Sequence, residues 1–319
     1  MTAPDAPHPP LPVDLYRGSA NTWECDEMGH LNVRFYVARA MEGLAILAHA
    51  MGMRAAFAVG AAATLTPVDQ HIRFLKEVRP GQPLRMRGGV VAMEECHAVI
   101  FQELTHADGT PAATFRTRIA HMEPRDLRAF PFSNSTRAAS AALACAVPAH
   151  GAPRSLSLDA PWGEASLARA DALSVPLVGR FAVTPDHLDA FGWMRPELFI
   201  GRVSDAVPNI LAEWRRRAAE LASPSGETRR TGGAVLEYRI AYRRWPRAGD
   251  LLEARSGVIE VAEKTHRLGH WVLDPVTGEA WATAEAVAVT FDLDTRKTIA
   301  PPAEHRAALA ATAVAGMSI

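Results

Sequence analysis

Residues 23–36 read Trp23-Glu-Cys-Asp26-Glu-Met-Gly29-His30-Leu-Asn32-Val-Arg-Phe-Tyr36, and an apolar segment with helical periodicity follows directly. Backbone N–H groups at the start of a helix have no intrahelical partner, and the helix dipole favours negative charge there. A carboxylate such as Asp26, placed next to such donors, is suited to activating water or attacking a carbonyl while the donors hold the developing oxyanion. The carboxylate, turn glycine, imidazole and amide of this stretch therefore form a candidate catalytic motif.

The whole chain has the composition of a globular protein. Its 319 residues are 48% hydrophobic and 22% charged, and they suffice for two domains of ordinary size. The formal net charge of −1 predicts neither a nucleic-acid nor a membrane partner. Three cysteines, Cys25, Cys96 and Cys145, lack metal-ligand spacing, so we expect reduced thiols in a cytoplasmic protein. No apolar stretch is long enough to cross a bilayer.

The segment after the motif predicts one long buried helix over residues 33–53, followed by strands. The apolar stripe of this helix is formed by Val33, Val37, Met41, Leu44 and Ala48, with Ile46 and Leu47 broadening it. Apolar residues then alternate with arginines around residues 84–90 and 115–119, which indicates strands. Asp108-Gly109 between two strand patterns is a hairpin signal, and Pro80-Gly81 is a further turn signal.

The second half of the chain repeats this order. Five pairs of residues mark the repeat, with offsets that grow from 163 to 169 positions: Asp26 and Asp189, Gly29 and Gly192, Gly81 and Gly249, His97 and His266, and Gly109 and Gly278. The offset grows where the second half carries the polar insert 222–231. The last strand, 281–291, alternates large residues with alanines, a face that permits close approach of a helix. We therefore predict an internal duplication.

This duplication divides the chain into five predicted segments. They are a disordered leader at residues 1–13, a first domain at 14–123, a linker at 124–175 that contains a short helix, a second domain at 176–300 and a helical tail at 301–319. The leader holds five prolines and lacks the pattern of a signal peptide. In each domain, one antiparallel sheet is expected to curl round one apolar helix, and the two sheets are expected to join edge to edge.

With these elements, the motif Asp26-x-x-Gly29-His30-x-Asn32-x-x-x-Tyr36 resembles that of the hotdog-fold acyl thioesterases. The nearest groups are the 4-hydroxybenzoyl-CoA thioesterase-like proteins and the two-hotdog acyl-acyl-carrier-protein thioesterases. The resemblance covers both halves and implies an α+β fold, a tandem double hotdog in which a curved antiparallel sheet wraps each long central helix. It implies an acyl-thioester hydrolase acting on acyl-CoA or acyl-carrier protein, with helix N-terminal amides near residues 30–32 as oxyanion donors and no metal or redox cofactor.

The resemblance also assigns roles to single residues. Asp26 holds the position of the catalytic Asp, which acts in those families as general base or nucleophile. His30 and Asn32 match the imidazole and the amide that assist it in the carrier-protein enzymes. Glu77 matches, more loosely, an acid on the strand entering the sheet of those enzymes. Met28 is a departure, because the plant pattern has an Asn at that place.

Structural roles compete with these assignments. Asp26 and Asn32 belong to the residue types that cap helices. Tyr36, a candidate substrate-binding residue together with Gly29, also suits a packing role with its hydroxyl hydrogen-bonded. Glu77 lies in a charged segment where a solvated surface carboxylate is the default.

The copies of the motif are unequal. At the places of His30, Asn32 and Glu77, the second copy has Trp193, Arg195 and Trp245, and Asp189 is the candidate for a second-copy site. A tryptophan accepts no proton, and Arg195 is expected to pair with a carboxylate. Cys25 adjoins the intact motif, but the neighbouring acids predict a raised pKa and an inert thiol. We therefore predict one competent site, in the first half, whereas the carrier-protein enzymes have the full motif in the second.

Two other functions remain open. An enoyl-thioester hydratase or dehydratase on the same fold is one, because residues 181–191 resemble the strand-to-helix entry of such enzymes, although their Asp-x-x-x-Asn-x-x-His arrangement is absent. A non-catalytic acyl-thioester binding protein is the other, since the second copy has lost its polar residues. A homodimer of double hotdogs also stays open, as do the acyl group and the choice between CoA and carrier protein.

Overall fold

The computed structural model describes residues 11–221, 231–292, 294–295 and 297–319, and for residues 211–221 and 231 it describes the backbone alone. The predicted leader up to Pro10 and the predicted insert up to residue 230 lie outside the described residues. The chain divides into two compact units, the first comprising the chain up to Leu31 with Phe35–Pro153, and the second Asn32–Arg34 with Arg154–Ile319. Among the described helices, none is long and apolar enough to span a membrane.

Both halves of the chain contain a strand, a long helix and then four strands in this order. Up to Pro153 the elements are β1 Val13–Ser19, α1 Val33–Ala50, β2 Thr64–Phe74, β3 Pro83–Met93, β4 His97–His106, β5 Pro111–Met122 and α2 Asn134–Ala141. From Arg154 they are α3 Leu167–Ala172, β6 Leu177–Ala182, α4 Glu197–Leu221, β7 Thr231–Tyr242, β8 Leu251–Val261, β9 Thr265–Leu273, β10 Ala280–Asp292, β11 Thr298–Ile299 and α5 Ala303–Ala310.

The two units also share one sheet topology. Neighbouring strands are ordered β1-β3-β4-β5-β2 in the first unit and β6-β8-β9-β10-β7 in the second, with β11 added beside β10. The paired strands within each unit are antiparallel. Each strand of the first unit thus has a counterpart at the same place in the second. The predicted α+β tandem double hotdog is confirmed.

The hairpin turns confirm the duplication and correct one of its markers. Gly109 and Gly278 both adopt positive φ, 85° and 79°, in corresponding hairpins. In the preceding turns, Glu94 N donates to His97 O as Ala262 N donates to Thr265 O (2.8 Å each). His97 therefore corresponds to Thr265, and its predicted match with His266 is wrong by one residue. The offset is 168 up to this point and becomes 169 within the next hairpin.

Helix α1 turns a narrower face to the core than the sequence predicted. Its buried residues are Tyr36, Val37, Ala40, Gly43, Leu44, Leu47 and Ala48. Ile46, which was expected to broaden this stripe, is 46% exposed. Successive helical residues are about 100° apart, so Ile46 projects about 200° away from Leu44 around the axis. This part of the prediction is wrong.

The segment between the sheets is docked on both units. Residues 143–145 pair with β3, because Val90 N donates to Leu143 O and Cys145 N donates to Val90 O (2.8 and 2.9 Å). In the second unit, the buried Glu237 carboxylate accepts the backbone amides of Arg154 and Ser155 at 2.9 and 2.8 Å. The segment is thus bonded to the backbone of β3 in the first unit and to a side chain of β7 in the second.

The predicted helical tail also contributes to a core. It contains α5, and beyond it Met317 packs with Trp271, Leu273 and Ala170 in one buried cluster. Helix formation in the tail is confirmed.

Candidate active site

Asp26 closes a tight loop ahead of helix α1. Its Oδ1 accepts hydrogen bonds from the backbone amides of Met28 (2.9 Å) and His30 (3.0 Å), and its own amide donates to His30 O (2.8 Å). Gly29 adopts φ +75°, a conformation that glycine takes without strain. A short carboxylate that accepts backbone amides downstream is a typical turn-former. The loop therefore needs Asp and Gly at this spacing, and it holds a half-buried carboxylate at the start of a helix.

Val78, just beyond β2, secures the loop and the helix together. Its carbonyl accepts the amide of Leu31 (2.8 Å), and its own N–H hydrogen-bonds to the hydroxyl of Tyr36. The Tyr36 ring is buried and packs edge-on against Phe74, with ring centroids 5.1 Å apart. Burial raises the pKa of this hydroxyl. With its hydroxyl bonded to the backbone and its ring in the core, Tyr36 has the packing role that the sequence allowed.

His30 and Glu77 are brought together by the fold. His30 Nε2 lies 3.3 Å from Glu77 Oε1, although 47 positions separate the two residues in the chain. The His30 side chain is 12% exposed and that of Glu77 is 40% exposed. Glu77 Oε2 also lies 3.3 Å from a guanidinium nitrogen of Arg79. The carboxylate that looked like a solvated surface charge is thus a partner of the motif imidazole.

Asn32 caps a helix. Its Oδ1 accepts the amide of Arg34 (3.0 Å), two positions on, which is the N-cap hydrogen bond of α1. Its Nδ2 donates to Ser204 Oγ (3.0 Å), a residue of the same compact unit as Asn32. Both polar atoms of the amide are therefore engaged, and its role as an assistant of Asp26 stays a prediction.

Backbone amides of the motif are engaged as well. The amide of His30 donates to Asp26, that of Leu31 to Val78 O, and that of Gly29 to Asp26 O (3.0 Å). The expectation that amides near residues 30–32 receive a thioester oxygen is therefore wrong for the first two of these residues. In the first turn of α1, the amide of Arg34 is likewise engaged, by Asn32 Oδ1.

A buried ion pair before the motif was missed by the sequence reasoning. Glu24 is 5% exposed and its Oε1 lies 2.5 Å from Arg39 Nη2 on α1, while its Oε2 accepts the amide of Asn21 (2.9 Å). Between Glu24 and Asp26, burial raises the pKa of the Cys25 thiol, and the two acids raise it further. This agrees with the predicted inert thiol, and Glu24 helps to hold the motif against the helix.

The second unit contains the same loop without the same chemistry. Asp189 Oδ1 accepts the amides of Phe191 (2.8 Å) and Trp193 (3.0 Å), and Asp189 N donates to Trp193 O (2.8 Å). Burial raises the pKa of Asp189. The Trp193 ring lies beneath the Arg247 guanidinium, 3.9 Å from the ring centroid, and the Trp245 ring stacks on Tyr242. Trp193 and Trp245 thus occupy the positions that correspond to His30 and Glu77 of the first unit.

Arg195 pairs with a carboxylate, as predicted. Its Nε lies 3.4 Å from Oε1 of Glu197, which is 6% exposed. Burial raises the pKa of Glu197, while Arg195 and Arg34 lower it. In the described part of the chain, no three His, Cys, Asp or Glu residues are grouped so that they could hold a metal ion.

Comparisons with known proteins agree with the fold. A family model described as the thioesterase-like superfamily matches residues 20–140 and 183–309, once in each half. An acyl-ACP thioesterase from Bacteroides thetaiotaomicron is 14% identical with a TM-score of 0.60, over 86% of this chain and 96% of that one. A 12:0-ACP thioesterase from Umbellularia californica is 12% identical with a TM-score of 0.62, over 86% and 93%. No curated protein sequence matches the chain significantly.

Proposed function

The chain belongs to the thioesterase-like superfamily and is a hydrolase of acyl thioesters, and we propose that Asp26 is its catalytic carboxylate. The observation that carries this proposal is the His30–Glu77 contact beside the loop that holds Asp26 Oδ1, because the second unit closes the same loop around Asp189 without an imidazole. Among the described residues, both hydrogen bonds to this carboxylate go to Oδ1. Oδ2 is therefore the oxygen that we assign to the reaction.

Two routes to hydrolysis use this oxygen. As a general base, Asp26 takes a proton from water while the water oxygen adds to the thioester carbonyl; the intermediate then breaks its C–S bond, and the proton passes from Asp26 to the departing thiolate. As a nucleophile, Asp26 forms the C–O bond itself and releases the thiolate; water then cleaves the mixed anhydride, and of its two protons one stays on the acyl product and the other passes to the thiolate. Both routes give a carboxylic acid and a thiol.

The helix supplies the electrostatic part of the proposal. The start of α1 carries N–H groups and the positive end of the helix dipole, which stabilise the oxyanion of a tetrahedral intermediate. Since the amides of residues 29–31 donate to Asp26 and Val78, and the amide of Arg34 donates to Asn32, we assign the oxyanion to the amide of Val33, the first residue of α1. One such donor contributes about 3 kcal/mol to the transition state in known enzymes.

His30 and Glu77 are the second pair in the proposal. The Glu77 carboxylate, 3.3 Å from His30 Nε2, would orient the imidazole. An imidazole held in this way next to the Asp26 loop is suited to position the attacking water or to donate to the leaving sulfur. We propose this assisting role for His30 and a positioning role for Glu77.

The substrate in this proposal is an acyl thioester of CoA or of a carrier protein. The two solved structures named above are acyl-ACP thioesterases by their descriptions, which supports this substrate class. The same acyl group presented on CoA and on a carrier protein separates the two options by their kcat/KM values.

The test is a thiol-release assay on a panel of acyl-CoA and acyl-carrier-protein substrates, with Asp26→Asn and Asp189→Asn as matched variants. An asparagine Oδ1 still accepts the two backbone amides, so both loops remain closed while the carboxylate is lost. We expect Asp26→Asn to lower kcat/KM by about 10²–10⁴-fold, the usual share of acid–base catalysis. We expect Asp189→Asn to stay within about twofold of the unsubstituted protein, which is a change of about 0.4 kcal/mol.

Two results would contradict the proposal. Thiol release by Asp26→Asn at the unsubstituted rate would remove Asp26 from the mechanism. Ligand-induced thermal stabilisation without thiol release across the whole panel would favour the non-catalytic binding protein, and hydration of an enoyl-CoA without thiol release would favour the hydratase.

A further inference from the structure

Residues 32–34 of the motif are in contact with helix α4. Although they follow the Asp26 loop in the chain, Asn32–Arg34 belong to the same compact unit as α4. Asn32 Nδ2 donates to Ser204 Oγ at 3.0 Å, and both side chains are half-buried. The Arg34 side chain lies over Gly201, where a Cβ atom would come within 3.0 Å of Arg34 Cδ. The N-cap and the first turn of α1 therefore pack on one part of α4.

The residues of α4 that take part lie along one stripe. Glu197, Gly201 and Ser204 are four and three positions apart, so they project within about 60° of one another around the helix axis. We call these three residues the α4 stripe. Glu197 is 6% exposed, and burial raises its pKa, while the positive charges of Arg195 and Arg34 lower it. The stripe thus presents a carboxylate, a glycine and a hydroxyl to residues 32–34.

Helix α1 has different residues at the three corresponding positions. The offset of 163 that relates the two motifs gives the pairs Arg34 and Glu197, Ala38 and Gly201, and Met41 and Ser204. An ion pair three positions apart on each helix, Arg39–Glu42 and Arg202–Asp205, supports this alignment. In α4 a carboxylate replaces a cation, a glycine replaces an alanine, and a hydroxyl replaces a thioether. Each difference favours contact with the guanidinium and amide side chains of residues 32–34.

Asn32 connects the α4 stripe to the start of α1. Its Nδ2 is bonded to Ser204, and its Oδ1 accepts the amide of Arg34 at 3.0 Å. A side-chain amide is planar, so a bond that fixes Nδ2 also fixes the direction of Oδ1. The N-cap in turn orients the first turn of α1, which carries the Val33 N–H. A donor stabilises an oxyanion only when it points at the place that the oxygen takes in the transition state.

We propose that Ser204 is a positioning residue for thioester hydrolysis, which acts through Asn32 to direct the Val33 N–H at the oxyanion. The other two residues of the α4 stripe hold the Arg34 side chain in place. This inference rests on the proposed function and deepens it, because it assigns residues of α4 to the reaction.

The test is steady-state thiol release with two variants, Ser204→Ala, which removes the hydroxyl, and Ser204→Thr, which keeps it. We expect Ser204→Ala to lower kcat about two- to tenfold with KM unchanged, as for the loss of one neutral hydrogen bond that acts on the transition state. Ser204→Thr is expected to stay within about twofold of the unsubstituted protein. Asn32→Ala is expected to lower kcat as well, and adding Ser204→Ala to it is expected to cause no further loss.

Asp205→Asn is the matched control for the kinetic test. It changes the next residue of α4, whose side chain is 50% exposed and pairs with Arg202. Its kcat is expected to stay within about twofold of that of the unsubstituted protein. Urea unfolding of all variants separates positioning from folding, because a residue that only stabilises the fold changes the free energy of unfolding and leaves kcat unchanged.

Hydrogen exchange of the Arg34 amide gives a readout that needs no turnover. The partner of this amide is Asn32 Oδ1, so a less restrained Asn32 side chain exposes the amide to exchange more often. We expect exchange to be about two- to tenfold faster in Ser204→Ala and unchanged in Ser204→Thr, as measured by nuclear magnetic resonance.

Two outcomes would overturn the inference. If Ser204→Ala keeps the unsubstituted kcat while Asp26→Asn loses activity, the proposed function stands and Ser204 has no part in it. If Arg34 exchange is unchanged in Ser204→Ala, the hydroxyl does not hold Asn32. Full activity of Asp26→Asn would instead overturn the proposed function, and a lowered kcat of Ser204→Ala that Ser204→Thr restores would still support the role of Ser204.

Discussion

Asp26 and Asp189 make the same turn. The Oδ1 atom of each carboxylate accepts the amides two and four residues further on, at 2.8–3.0 Å. In both loops the glycine three positions on has positive φ, 75° at Gly29 and 82° at Gly192. A shared turn-forming role accounts for the survival of Asp189 in a copy that has lost the other polar residues of the motif. Any catalytic role of Asp26 is therefore additional to its turn-forming role, because Asp189 forms the same turn in a copy that lacks the other polar residues.

This equality leads to a prediction about stability. Asp26→Ala and Asp189→Ala each lose two charge-assisted hydrogen bonds in a half-exposed loop, so each is expected to lower the free energy of unfolding by about 1–2 kcal/mol. The asparagine variants are expected to recover most of that loss. Urea unfolding measures both effects. If Asp189→Ala leaves the free energy of unfolding unchanged, the two hydrogen bonds of this turn do not contribute to stability. The comparison of thiol release between the two sites would then have no stability control.

The pair Tyr36 and Val78 gives a second prediction. In the second unit, Phe199 without a hydroxyl and Pro246 without an N–H stand at the corresponding places, and donor and acceptor are lost together. Tyr36→Phe leaves the Val78 N–H without its partner and is expected to lower the free energy of unfolding by about 1 kcal/mol.

The reverse change, Phe199→Tyr, is the matched control. Phe199 is fully buried, so the new hydroxyl would meet no N–H at Pro246 and is expected to destabilise by about 1–3 kcal/mol. Thermal unfolding of Tyr36→Phe and Phe199→Tyr measures both changes in stability. If neither variant differs in stability from the unsubstituted protein, the hydroxyl at this position does not contribute to stability.

His30 and Glu77 are expected to act as a unit. If Glu77 orients the imidazole, Glu77→Gln lowers kcat/KM by about tenfold, and the double variant His30→Gln/Glu77→Gln is no slower than His30→Gln alone. A double-mutant cycle on thiol release measures this coupling, with Glu27→Gln, an exposed acid of the same loop, as the control. Additive losses would show that the 3.3 Å contact has no catalytic consequence.

His270 gives a prediction about pH. Its pKa is lowered by burial from 6.5 to about 4, so between these values the unfolded chain binds a proton that the folded chain does not. Stability from this residue is therefore fully present above about pH 6.5 and is lost as the pH falls towards 4. The loss is on the order of 3 kcal/mol.

Replacing this imidazole removes the dependence. The unfolding free energy of His270→Gln is expected to fall less than that of the unsubstituted protein between pH 7 and pH 4.5, as measured by urea unfolding at both values. A nuclear magnetic resonance titration that places the His270 pKa near 6.5 would contradict this prediction.

Much of the architecture was predictable because it depends on local patterns. The Asp26–Gly29 spacing that closes a turn, the positive-φ glycine of the hairpin at Gly109 and the alternation along β3 and β5 all act between near neighbours, and a repeated order of such signals indicates a repeated fold. The same reasoning failed at Ile46, because the sequence indicates that a helix has an apolar stripe but the sheet decides which part of the stripe is covered.

The sequence by itself determined the duplicated hotdog fold and the position of the motif that distinguishes the two copies. The tertiary structure decided which groups are engaged: it turned Asn32 into an N-cap, bonded the amides of His30 and Leu31 to Asp26 and Val78, and paired His30 with Glu77. The physical reason is distance along the chain. Local hydrogen bonds follow from residue type and spacing, whereas partners 47 positions apart meet only when sheet and helix pack, and packing also decides which polar atoms remain free to react.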